Sequence, residues 1–233
     1  MKIYVINVPA DTERLSGFQA VYPAGLPEPT IYYAKTGEEI VVPGWWQGSA
    51  NSRALTENLK AILEQEHNEP VMILEDDCAF DSDFVNKLNE FMEHVPNDWE
   101  VLYPGGRHAD KLYAYPLKVN DYVLKCRYTA GTYCMIINTN AIQKVLSILN
   151  SENWTCHHTQ DERLALEQWS GRLKAYAPLR FIAGQRAGLP STIKEGWVFN
   201  RTTFFNDFRY FDTENKVFVP SGTLYDDEEE EEE

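Results

Sequence analysis

Hydrophobic and polar positions change period repeatedly along this chain, and the changes mark its elements. Lys2 to Val8 is a β-rich apolar run, read as the first and central strand of a sheet. Pro9 to Leu15 turns into a helix, with Asp11 or Thr12 as its cap. The prolines between Pro23 and Pro29 make a loop, and Ile31 to Ala34 is a short strand. Leu55, Leu59, Ile62 and Leu63 recur at helical spacing between Ser52 and Gln65. Four apolar residues, Val71 to Leu74, then predict a strand buried on both faces. A helix over Asp83 to His94 displays Phe84, Leu88, Phe91 and Met92, and Glu100 to Tyr103 is a strand ended by Pro104-Gly105-Gly106. Strand-like runs at Tyr122–Lys125 and Gly131–Ile137 precede helical patterns at Asn140–Leu146 and Asp161–Trp169. Leu173 to Ala177 is again strand-like, and after Gly196 the pattern fades into aromatic-rich, poorly periodic chain. The order β-α-β-α-β-α-β, with hairpin material later, predicts an α/β fold with a mixed central sheet.

The length of 233 residues suits one such domain. The expected organisation is a main domain over residues 1–195, an aromatic-rich extension over 196–225 packing on it, and a disordered acidic tail over 226–233. That tail holds eight carboxylates, so the formal charge of −15 falls to −7 without it. A balance of −7 opposes broad nucleic-acid binding. Cys78, Cys126, Cys134 and Cys156 lack paired metal-type spacing and read as reduced thiols. No apolar run reaches the roughly 18 residues of a membrane span. With a strand in place of a secretion leader at the start, the expected location is cytoplasmic.

Chemistry concentrates where the Val71 strand should end, at Glu75-Asp76-Asp77. Three carboxylates beside an apolar strand need water or a cation to compensate them. Acidic side chains at a strand's carboxyl end suit a divalent metal, Mn²⁺ or Mg²⁺, carrying a phosphorylated ligand. Strand alternation would put Glu75 and Asp77 on one side and Asp76 on the other. Asp77 is therefore the expected metal ligand, with Glu75 in the metal shell or near a ribose. Capping of the next helix is the plainer role for such a run. Asn7 and Arg14 follow the first strand, where a nucleotide rests in open sheets, and Arg14 suits a phosphate. Trp45 and Trp46 are either a sugar-stacking platform or core, and Pro104 to His108 is either a ligand loop or a plain turn.

The order of these motifs resembles glycosyltransferase family 25, the lipooligosaccharide and collagen-type sugar transferases. The resemblance rests on Tyr4-Val5-Ile6-Asn7-Val8, on Leu74-Glu75-Asp76-Asp77, and on Gly131 to Ile137 with the Ala141 helix. Asp161 and the Pro178, Gln185 and Ser191 block extend it, to cover roughly residues 2–193. It implies a GT-A nucleotide-binding sandwich, a nucleoside-diphosphate sugar as donor, and transfer to a saccharide or other hydroxyl acceptor with inversion. Through it Asp161 becomes the catalytic base, although acidic residues also favour a helix amino end. Asp76 and Gln185 join Asn7, Arg14 and Glu75 as donor-binding residues. His157 and His158 offer further bases or ligands. The segment Gly48 to Arg53 departs from the family in lacking its cysteine and histidine, so Asn51 or Arg53 must substitute or the role is gone. Cys134-Met135 likewise replaces an expected aromatic. The departures keep a non-catalytic scaffold open, beside a transferase acting on modified nucleic-acid bases. A nucleotidyltransferase would be expected to carry a glycine-rich loop after the first strand, and Pro9 to Arg14 contains no glycine.

Overall fold

Val71–Glu75 forms strand β3 in a computed structural model, which describes residues 1–109, 111, 114–152, 159–189, 198 and 201–221. Alternate side chains of β3 enter two different cores, which is why all four apolar residues are buried. Val71 and Ile73 face one layer of helices, Met72 and Leu74 the other. Its neighbours are β1 (Lys2–Asn7), parallel to it, and β8 (Thr129–Ile137), antiparallel. The first core takes in Leu59, Ile62 and Leu63 of α2 (Ala50–Leu63), Val145 and Leu149 of α4 (Ile142–Asn150) and Leu164 of α5 (Gln160–Trp169). The second takes Phe18 of α1 (Thr12–Val21) with Phe84, Leu88 and Phe91 of α3 (Phe84–His94). The result is the mixed α/β sandwich that the element order implied.

Among the described residues the central sheet has ten strands, and its order corrects the reading of β1 as central. Only β2 (Thr30–Tyr33) lies outside β1. Beyond β8 come β5 (Val101–His108), β9 (Ala175–Pro178), β7 (Val123–Lys125) and β6 (Leu117–Lys118). Burial on both faces marks an interior strand without telling how far the sheet extends to either side. Two strands that the fading pattern concealed, β11 (Arg209–Asp212) and β12 (Val217–Pro220), complete the far edge. Phe208 and Tyr210 bury themselves in the first core, so this segment belongs to the same sandwich. A short antiparallel ribbon of β4 (Cys78–Phe80) and β10 (Ala183–Gln185) stands apart from the main sheet.

Pro104-Gly105-Gly106 does not end β5, against the turn chemistry it displays. The strand continues through it with register shifts on either side of Gly105. A Cβ on Gly105 would lie 2.7 Å from the Ala183 carbonyl oxygen and 2.7 Å from the Tyr133 ring. The glycine serves close packing of β10 over β5, so the sequence signal for a turn was a signal for tight approach.

Candidate functional site

Parallel strands β1 and β3 end at the same edge of the sheet, and β8, running the other way, begins there. Glu75 closes β3, and Asp76-Asp77 form the turn into β4. Because the turn replaces extended chain, simple alternation fails and the three carboxylates take three different sets of partners. Glu75 accepts a 2.6 Å hydrogen bond from the Thr132 hydroxyl of β8. Asp76 accepts from Asn7 Nδ2 at 2.7 Å and from Arg14 Nε at 2.8 Å, and Arg14 Nη2 lies 2.6 Å from its Oδ1. Asp77 Oδ2 lies 3.3 Å from Arg14 Nη2 and 3.4 Å from Gln185 Nε2. Asp77 Oδ1 is buried with no hydrogen-bond partner.

Arg14 is thus committed to two carboxylates, and its first task is to neutralise them. Burial opposes its charge, but the hydrogen bond to Asp76 and the field of Asp77 raise its pKa nonetheless. Burial also pushes up the Asp77 carboxyl, against the pull of Arg14. Glu75 has no cation of its own; burial first, then the charge of Asp77, hold it at about 8. Arg186, directly after β10, braces the turn through backbone. Its guanidinium donates to the carbonyl oxygen of Arg14 at 2.9 Å and to that of Asp76, while its amide donates to the Asp77 carbonyl at 2.8 Å. In sequence, 109 positions separate Arg186 from Asp77, and the β4–β10 pairing joins them.

Asp161 stands in the first turn of α5, where the helix dipole favours a carboxylate. It comes to the same edge. Its Oδ2 accepts from the Gly131 amide at 3.0 Å, and the Thr159 hydroxyl donates to its Oδ1. Gly131 adopts φ +96°, a conformation that disfavours side chains, and so directs its amide out of the strand toward Asp161. Asp161 and Glu75 sit close enough that the former's charge adds to the rise in the latter's pKa. Gln160, Thr132 and Thr56 form a buried chain beneath them: Gln160 Nε2 donates to Thr132 Oγ1 at 3.5 Å, and Thr56 Oγ1 to Gln160 Oε1 at 3.3 Å. Nothing in the sequence marked Thr56, Thr132 or Gln160 as neighbours.

A cavity of about 410 Å³ opens beside this cluster at the ends of β1 and β3. Ile6, Val8 and Leu55 give it apolar walls, and Arg14, Glu75, Asp76, Asn51 and Lys35 give it polar ones. That composition suits a small ligand with a flat apolar part and a charged end. Arg53, a little over half a turn along α2 from the cavity's Asn51, pairs instead with Glu57. Its guanidinium lies 5.3 Å from the Trp45 ring and 5.2 Å from the Trp46 ring. Trp46 is itself buried and donates to the Ser49 carbonyl at 3.0 Å. The two tryptophans therefore pack Arg53. Asn51 Oδ1 accepts from the Gly37 amide at 2.9 Å.

Among the described residues, no three His, Cys, Asp or Glu side chains gather into a metal cage. A protein-only cage is not what the chemistry requires, because Mg²⁺-type ions use one or two carboxylates with waters and substrate phosphates. The partnerless buried oxygen of Asp77 fits that second arrangement. Cys156, His157, His158, Ser191 and the tail 226–233 lie outside the described residues.

No family model matches the chain, and neither does any curated protein. Solved structures do resemble it. A glycosyltransferase involved in the glycosylation of the major capsid of PBCV-1 is 14% identical, with 77% of this chain and 82% of that one covered at a TM-score of 0.42. Apo mouse xyloside xylosyltransferase 1 is 8% identical, covering 74% and 83% at 0.44. An apo UDP-glucose pyrophosphorylase is 10% identical, covering 76% and 72% at 0.38.

Proposed function

We propose that this protein is a glycosyltransferase, a divergent member of glycosyltransferase family 25 with a GT-A-like fold. In this reading it moves a sugar from a nucleoside-diphosphate sugar to a hydroxyl acceptor. One observation carries the reading: the carboxylate turn that ends a buried strand lines a cavity of about 410 Å³ through Glu75 and Asp76, and the next residue, Asp77, keeps one buried oxygen, Oδ1, without a partner. Asp77 would hold Mn²⁺ or Mg²⁺ shared with the donor's diphosphate. Such an ion supplies Lewis-acid stabilisation of the departing phosphate, worth several kcal/mol.

This chain's own residues supply the rest. Asn7 and Arg14 fix Asp76, and Arg14 and Arg186 keep positive charge where a diphosphate approaches. Asp161, its two oxygens directed by Gly131 and Thr159, takes the acceptor's hydroxyl proton. The acceptor oxygen then bonds to the anomeric carbon as the bond to the diphosphate oxygen breaks, and the electron pair leaves on that oxygen. A single displacement of this kind inverts the anomeric centre.

Thermal unfolding of the full chain with UDP, GDP, CDP and their sugars, each with and without Mn²⁺, tests the reading. A metal-dependent rise with one nucleotide is expected, about 2.7 kcal/mol at a ligand concentration 100 times Kd. No rise across the panel would overturn it in favour of a non-catalytic scaffold, which the satisfied Arg14–Asp76 pair would also serve.

A further inference from the structure

The same sheet edge carries a second cavity, of about 970 Å³, at the ends of β5 and β9. It shares no lining residue with the 410 Å³ cavity. The β4–β10 ribbon lies between them: Cys78 pairs with Gln185 next to Asp77, while Phe80 pairs with Ala183 next to the second cavity's Asp81 and Ile182.

His108 stands in the wall of this second cavity, only 5% exposed. Its Nδ1 lies 2.7 Å from the Thr129 hydroxyl, and its ring stacks on Phe181 at 4.7 Å and meets Phe208 edge-on at 4.5 Å. The other nitrogen, Nε2, is buried without a hydrogen-bond partner. An unsatisfied buried polar atom costs about 1–3 kcal/mol, so its retention at a cavity wall points to a ligand atom that completes it.

The remaining lining narrows the ligand's chemistry. Exposed Arg107 and Arg201, which offer only donors, share the lining with exposed Glu90 and Asp207, which offer only acceptors. A phosphate would call for donors alone, a metal ion for acceptors alone, and a lipid tail for neither. A sugar hydroxyl supplies one donor and two acceptor positions on a single atom, and so satisfies both signs and a neutral imidazole at once. Tyr122, stacked on His94 with ring centroids 3.8 Å apart, remains 38% exposed and offers an aromatic surface at the same wall. The volume stands at the upper end of the roughly 300–1,000 Å³ of small-molecule sites, which suits several linked rings better than one.

We propose that this cavity binds a neutral oligosaccharide, whose hydroxyls engage His108 Nε2 and the mixed arginine and carboxylate rim while a ring face rests on Tyr122. The inference goes beyond the transferase reading and does not depend on it. The site requires neither a nucleotide nor a metal ion, and it is expected to bind whether or not the carboxylate turn supports turnover.

Calorimetric titration of the full chain tests it, in EDTA and without nucleotide, with neutral tetrasaccharides of glucose, galactose, mannose and xylose. A heparin tetrasaccharide and an unstructured tetrapeptide serve as comparators. Saturable binding of at least one neutral tetrasaccharide is expected, weakened about tenfold or more in the surface variant Arg107→Ser/Tyr122→Ala, whose melting temperature should match the parent's. Absence of binding at millimolar ligand, binding confined to heparin or peptide, or binding unchanged in the variant would each overturn the proposal. UDP binding, measured separately with Mn²⁺, distinguishes this failure from failure of the transferase reading.

Discussion

The two cavities on this sheet edge satisfy their polar groups in opposite ways. At the end of β3 the acidic groups are adjacent in sequence, and Arg14 pairs with two of them, Asp76 and Asp77; one oxygen of Asp77 is left over. At the end of β5 the lining arrives from several separate segments, the rim charges are exposed, and the one buried polar group, His108, is kept neutral. A charged cluster needs its counter-charge built in before it can fold. A neutral buried group tolerates a missing partner and leaves it for a ligand. The first region suits chemistry on an anion, the second recognition of an uncharged molecule.

The largest expected effect falls on the first region alone. Asp77→Asn should lower turnover about a thousandfold or more, measured as nucleotide release, while the chain melts near its parent temperature. Near-normal turnover would remove Asp77 from the reaction. Asp161→Asn should cost about 10²- to 10⁴-fold, with donor binding retained, because the amide oxygen can still accept from Gly131. If donor binding and turnover fell together, Asp161 would be a helix-start residue and not a base.

Asp76→Ala separates folding from chemistry in the same region. It strands buried Arg14 and should cost about 3–5 kcal/mol in urea unfolding. A loss under about 1 kcal/mol would show that the pair is not desolvated as its burial indicates.

At neutral pH the smallest effect belongs to the second region, where it emerges only as pH falls. Burial lowers His108 to about 3, from 6.5 for the free imidazole, and its packing neighbours Thr129, Phe181 and Phe208 carry no charge. Between those values the unfolded chain holds a proton that the folded one lacks. Stability from this group is therefore complete above pH 6.5 and declines as pH falls toward 3, by at most about 1.4 kcal/mol per pH unit. His108→Phe should flatten that part of the pH profile; an unchanged slope would assign the acid sensitivity to carboxylates elsewhere.

Much of the frame was legible because it obeys local rules. The period-2 and period-3.6 patterns located β1, β3, β8, α2 and α3 to within a few residues, and the Leu74-Glu75-Asp76-Asp77 run marked the site edge. Local rules also misled. Pro104-Gly105-Gly106 carries turn chemistry yet continues β5, because β10 needs the space a side chain would fill. Strands β11 and β12 were hidden since β11 is only four residues long with two aromatics side by side and β12 is largely exposed; pairing of β11 with β6, and of β12 with β11, holds them in the sheet.

By itself the sequence determined the α/β class, the buried β3 strand and the concentration of carboxylates where that strand ends. These follow from side-chain periodicity and from charges adjacent along the chain. Only the tertiary structure decided which carboxylate oxygen is left without a partner, that Arg14 and Arg186 brace the turn, and that Asp161 reaches Glu75 through Gly131 and Thr132. It alone assembled the His108 cavity. Each of these depends on distances between residues tens of positions apart, fixed by strand register and ribbon pairing, which no local pattern encodes.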